Sequence, residues 1–89
     1  MKFILGERKE VKVNIISTST APFVIRNPVF TLYRNSNEEA VQTGECSIND
    51  KELTAVIQPP AKGLYTLMFT YEVANEILKA PVPINVERY

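Results

Sequence analysis

Apolar residues recur at every second position along most of this chain, and no long segment repeats them at helical spacing. Val11, Val13 and Ile15 alternate with Lys12 and Asn14, the pattern of a strand with one buried face. Phe30 and Leu32 alternate with Thr31 and Tyr33, and Cys46 and Ile48 with Glu45 and Ser47. Leu53, Ala55 and Ile57 mark one face of a further strand, with Thr54 and Gln58 on the other. Residues 40–43 form a shorter and weaker run. Turn chemistry separates these segments: Asn35-Ser36-Asn37, Asn49-Asp50-Lys51-Glu52 and Pro59-Pro60-Ala61-Lys62-Gly63. If Ile48 pairs with Leu53 across the second turn, Cys46 falls opposite Ala55 and Gly44 opposite Ile57.

The last third of the chain carries the strongest alternation. Tyr65, Leu67, Phe69, Tyr71 and Val73 lead to Ala74-Asn75, and the pattern resumes at Leu78, Ala80, Val82, Ile84 and Val86. A two-residue turn pairing Val73 with Glu76 sets every inward residue opposite another, and a one-residue slip would break them all. In that register residues 77, 79, 81 and 83 aim their amides away from the partner strand. Pro81 and Pro83 both lie in this set, where a missing N–H costs the hairpin nothing and refuses a further strand. The last strand therefore reads as a guarded sheet edge, which shifts the expected binding surface to the N-terminal half.

About seven or eight short strands at regular spacing without a helix predict an all-β fold, a sandwich or a barrel. Residues 1–89 make one domain at this length. The composition, 45% hydrophobic and 22% charged, is that of a folded chain. Lys plus Arg equals Asp plus Glu at 10 each, and the basic residues are scattered, so no basic field favours nucleic acid or an anionic membrane. The first residues lack the apolar run of a secretory leader, and no stretch reaches the length of a membrane span. With one cysteine no intrachain disulfide can form. The expectation is a chain made in the cytoplasm, which leaves it by lysis or within a virion.

Catalytic residue types are scarce. The chain has no histidine, which removes the commonest general base and the commonest metal ligand. Cys46 has no visible activating partner, and its strand phase faces the core. The local carboxylate pairs, Glu38-Glu39 and Glu72 with Glu76, read as solvated turn charges rather than acid–base pairs. Asn49, Asp50 and Glu52 lack the spacing of a calcium loop, and the three glycines do not form a phosphate loop. The expectation is a non-enzyme without cofactor or metal that binds a protein partner, itself included. Tyr65, Phe69 and Tyr71 share the phase of Leu67 and read as core, whereas Phe23, Tyr33 and Tyr89 have no assigned inward phase. Phe23 and Ile25, in the segment Phe23-Val24-Ile25, together with Tyr33, are the candidate interaction surface.

Gly63-Leu64-Tyr65, running into Thr66-Leu67-Met68-Phe69, resembles the G-x-Y start of strand F in immunoglobulin-like domains. That resemblance implies that the Tyr65 hydroxyl bonds back to the corner before its strand. Leu67 stands where antibody-type domains have cysteine, and no tryptophan is present, so the likeness is to disulfide-free sandwiches and implies an immunoglobulin-like β-sandwich of about seven to eight antiparallel strands. Across most of the chain, Gly6-Glu7, Val11-Val13-Ile15, Phe30-Thr31-Leu32-Tyr33 and Pro59-Pro60-x-x-Gly-x-Tyr resemble small immunoglobulin-like modules of phage and prophage tail or baseplate proteins. The resemblance implies a structural role in assembly or attachment. Two rival expectations are an intracellular inhibitor or regulator that binds a host protein through loops such as Asn27-Pro28 and Pro59-Pro60, and a carbohydrate-binding module with a row of exposed aromatics.

Overall fold

The C-terminal hairpin has the expected register in a computed structural model that describes residues 1–16 and 23–89. Gly63–Val73 (β7) and Glu76–Glu87 (β8) pair antiparallel from Val73↔Glu76 to Gly63↔Val86, with Tyr71 opposite Leu78 and Leu67 opposite Val82. Six further strands precede them: Lys2–Ile4 (β1), Lys9–Asn14 (β2), Ile25–Arg34 (β3), Glu39–Glu45 (β4), Ser47–Asn49 (β5) and Glu52–Ile57 (β6). They form a five-stranded sheet ordered β1-β8-β7-β3-β4 and a three-stranded sheet ordered β2-β6-β5. The chain is thus an all-β sandwich. The orders β8-β7-β3 and β2-β6-β5 match G-F-C and B-E-D of the immunoglobulin plan, in which hairpins alternate with crossings between sheets.

The core follows from alternation. Leu32, Tyr65, Leu67, Phe69, Ile84 and Val86 from the large sheet meet Val11, Leu53, Ala55 and Ile57 from the small one, all buried. Each such side chain contributes about 1.5–3 kcal/mol through removal of its apolar surface from water. Among the described residues the buried side chains are apolar apart from the hydroxyls of Tyr65 and Tyr71.

Four expectations are corrected. The first concerns residues 42–48. Ile48 does pair with Leu53, but Cys46 and Gly44 do not continue along β6. The chain changes sheets here: the Cys46 amide donates to the Pro28 carbonyl at 3.0 Å, and Gly44 pairs with Phe30 of β3. Gly44 is what permits this. A Cβ at that position would lie 2.9 Å from the Phe30 ring, so only glycine lets the buried ring rest on the β4 backbone. The vacated flank of β6 is filled by a side chain. Gln42 donates to the Val56 carbonyl at 3.5 Å and accepts from the Gln58 amide at 3.1 Å, taking the place of the departed strand.

The second correction concerns the last strand, which is an edge along only part of its length. β1 pairs with it in parallel, Lys2↔Asn85 to Ile4↔Glu87, so the sandwich is not wholly antiparallel. The Asn85 amide donates to the Met1 carbonyl and the Leu5 amide to the Glu87 carbonyl, each at 2.8 Å. Both Asn85 and Glu87 belong to the outward-facing set that contains Pro81 and Pro83. Pairing begins where the prolines stop. Phe3 reaches the core and is fully buried there, which no alternation in so short a run could announce.

Third, Asn27-Pro28 is not a loop. It lies within β3, where the register with β7 shifts between Arg26 and Val29 and Asn27 has φ of 50°. A bulge accommodates the proline, and its carbonyl serves the Cys46 amide. Fourth, Ile25 is the first residue of β3, pairs with Val73 and is only 6% exposed. It belongs to the core, so it is not part of an interaction surface.

Candidate interaction surface

The remaining two residues of the expected surface, Phe23 and Tyr33, lie near opposite ends of β3. Tyr33 is half-buried on the outer face of the five-stranded sheet, between Ala40 of β4 and Thr66 of β7. It lines an open cleft of about 470 Å³ together with Arg34, Asn35, Glu38, Thr66 and Met68. Phe23 is half-buried at the hairpin end, packed on the core, with the Lys51 ammonium 5.0 Å from its ring centre. The structure does not bring Phe23 and Tyr33 together.

Phe23 instead joins residues that no local pattern connects. Ile15, Ile16, Tyr71 and Leu78 line a small cleft of about 160 Å³ with it. Within this cleft Ile16 is 87% exposed, while Ile77, on the opposite face of β8 from Leu78, is exposed as well. The hairpin tip therefore presents apolar surface. Its edge is guarded, but its end is not. The Arg26 guanidinium donates to the Ala74 carbonyl, and Asn27 Nδ2 donates to a Glu72 carboxylate oxygen at 2.5 Å, which fixes the turn against the start of β3.

Edge groups show where a further strand could add. Along residues 77–83, β8 is guarded by its prolines. On the free side of β1, the Lys2 carbonyl accepts from Lys9 Nζ at 3.1 Å, and Ile4 exchanges bonds with Glu7: its amide donates to Oε1 at 2.5 Å and its carbonyl accepts from the Glu7 amide at 2.9 Å. Local side-chain and backbone bonds thus occupy the groups a new strand would need. β4 forms the opposite edge of this sheet, interrupted by a register shift opposite Leu32 and Tyr33.

Chemistry at these places is limited. Burial pushes the Cys46 thiol up to about 11, away from the thiolate that a nucleophile needs. Among the described residues no three His, Cys, Asp or Glu side chains lie close enough to hold a metal ion. Glu72 and Glu76 do not face each other across the hairpin: Glu72 is opposite Ile77, and Glu76 is opposite Val73. Tyr65, Phe69 and Tyr71 are buried, so they form no exposed aromatic row. The Tyr65 hydroxyl donates to the Ala61 carbonyl at 2.8 Å, the corner bond that the strand-F resemblance implies. No protein-family model, curated protein or solved structure matches the chain.

Proposed function

We propose that this domain is a non-catalytic protein-binding module that serves assembly or attachment in a phage or prophage particle. The observation that carries the binding part is the hairpin end, where exposed Ile16 and Leu78 line an apolar cleft with Ile15 and Phe23. Large apolar groups gathered at one end of a small domain mark a contact surface more often than a solvated one. The guarded edges of β1 and β8 favour contact through side chains over strand addition. The particle context rests on the resemblance to tail and baseplate modules.

Two measurements test the two parts separately. Mass spectrometry of purified particles from the producing host is expected to find the chain at a fixed ratio to the structural proteins, and its absence removes the particle reading. Ile16→Lys and Leu78→Lys place charges in the cleft at exposed positions outside the buried core. Both are expected to lower incorporation or partner capture by about tenfold or more while leaving the melting temperature unchanged. Unaltered capture by both variants excludes the hairpin end. Sedimentation velocity of the isolated domain shows whether the partner is a second copy.

A further inference from the structure

A second cleft, at the end of the sandwich opposite the hairpin tip, has a different chemical character. It lies between the turn after β3 and the crossover before β7, has a volume of about 370 Å³, and is lined by Arg34, Asn35, Ser36, Lys62, Gly63 and Leu64. Its charged walls are all cationic. Neither Arg34 nor Lys62 forms an ion pair among the described residues, a state they share with Arg8, Arg26, Lys79 and Arg88. The nearby acid, Glu38, lines the neighbouring cleft and reaches neither cation.

The neutral groups are also arranged to donate. The Thr66 hydroxyl donates to Asn35 Oδ1 at 2.8 Å, which occupies the acceptor of that amide and leaves its Nδ2 hydrogens unused among the described residues. Ser36 adds a hydroxyl. Gly63 has φ of 137° and no atom within 4 Å of where a Cβ would stand, so the floor is open backbone rather than side chain. Arg34 Nε is buried without a hydrogen-bond partner among the described residues.

Tyr65 organises both cations. Its ring lies under the Arg34 guanidinium, 5.7 Å from centroid to Cζ, and its hydroxyl holds the Ala61 carbonyl, one residue before Lys62. A fork-shaped cation on a rigid strand, a second cation on a pinned crossover and two neutral donors make a cleft with many donors and few acceptors. From this we infer that the cleft binds an oxyanion, the carboxylate or phosphate group of a ligand, with Leu64, 61% exposed, offering an apolar wall for the rest of the molecule. The site lies far along the sandwich from the hairpin end and does not depend on the particle reading.

The test is a titration of the ¹⁵N-labelled isolated domain at pH 7 and constant ionic strength, with sodium phosphate in one arm and sodium acetate in the other. Saturable shifts are expected at the Asn35, Ser36, Lys62 and Gly63 amides and at the Asn35 side chain. The arm that saturates at lower concentration identifies phosphate or carboxylate as the preferred group, and equal arms mark a site for either. Lys62→Gln, an exposed change that leaves the fold intact, is expected to weaken binding by about tenfold, the size of one charge-assisted hydrogen bond. Arg34→Lys keeps the charge and loses the fork, and is expected to weaken it further. Shifts that fail to saturate in both arms overturn the inference, as does unchanged affinity in Lys62→Gln.

Discussion

Single backbone positions decide how tightly this sandwich is made. Ala74 opens the β7–β8 turn with φ of 54°, a region that disfavours any residue with a Cβ. The alternation on either side of the turn fixes the register, so the strain is held in place by the strands it joins. Ala74→Gly is expected to stabilise the domain by about 0.5–1 kcal/mol, read as a higher denaturant midpoint at unchanged slope. A lower midpoint would mean that the Ala74 backbone is not strained. Gly44 presents the reverse case. Gly44→Ala drives a Cβ into the buried Phe30 ring and is expected to destabilise by about 1–3 kcal/mol. A neutral result in the same assay would show that the ring can move aside.

Among the strands, β1 is the one most dependent on side chains. It is three residues long, and it is held on β8 by parallel bonds, by Phe3 in the core and by the Glu7 and Glu87 carboxylates. The Ile4 amide holds the Glu7 carboxyl below its usual range; desolvation opposes it, and Lys9 adds a further lowering through its hydrogen bond and charge. A hydrogen bond from Lys2 does the same for Glu87. For a carboxylate depressed in the folded state, the stabilisation is present above the unfolded value and is lost as pH falls through the folded one. Docking of β1 should therefore weaken from about pH 4.3 downward. Hydrogen-exchange protection at Leu5 and Asn85, whose amides cross between the strands, is expected to fall in that range more than protection within β7. Glu7→Gln should flatten part of that dependence. Protection that falls equally in β1 and β7 would assign the loss to global unfolding instead.

The molecule as a whole has one apolar layer between two sheets, and its middle is Leu67, which pairs with Leu32 and Val82 and is fully buried. A chain of this length has a total stability of roughly 5–13 kcal/mol. Leu67→Ala is expected to remove about 2–5 kcal/mol of it, leaving a domain that is partly unfolded at physiological temperature or close to it. Thermal denaturation checks this directly, and a loss well under 1 kcal/mol would show that the layer collapses around the gap.

Alternation and turn chemistry determine much of this protein without reference to the third dimension. The all-β class, the β7–β8 register and the outward set containing Pro81 and Pro83 follow from a side-chain period of two, because a strand's inward face is a local property. The Tyr65 corner is implied by the resemblance of Gly63-Leu64-Tyr65 to the start of strand F, not by alternation. Strand partners across the sandwich are not local, and tertiary structure decides them. Gly44 and Cys46 leave β6 for β3 because the Phe30 ring needs a backbone without a Cβ to rest on. Residues 2–4 become a strand because β8 resumes outward donors after its prolines. Ile25 is core because β3 continues through the bulge at Asn27-Pro28 to reach Val73. The candidate surfaces divide in the same way. Phe23 and Tyr33 are visible as aromatics without an inward phase. The hairpin end, and the cleft that sets Arg34 beside Lys62, exist only because distant segments end at the same end of the sandwich.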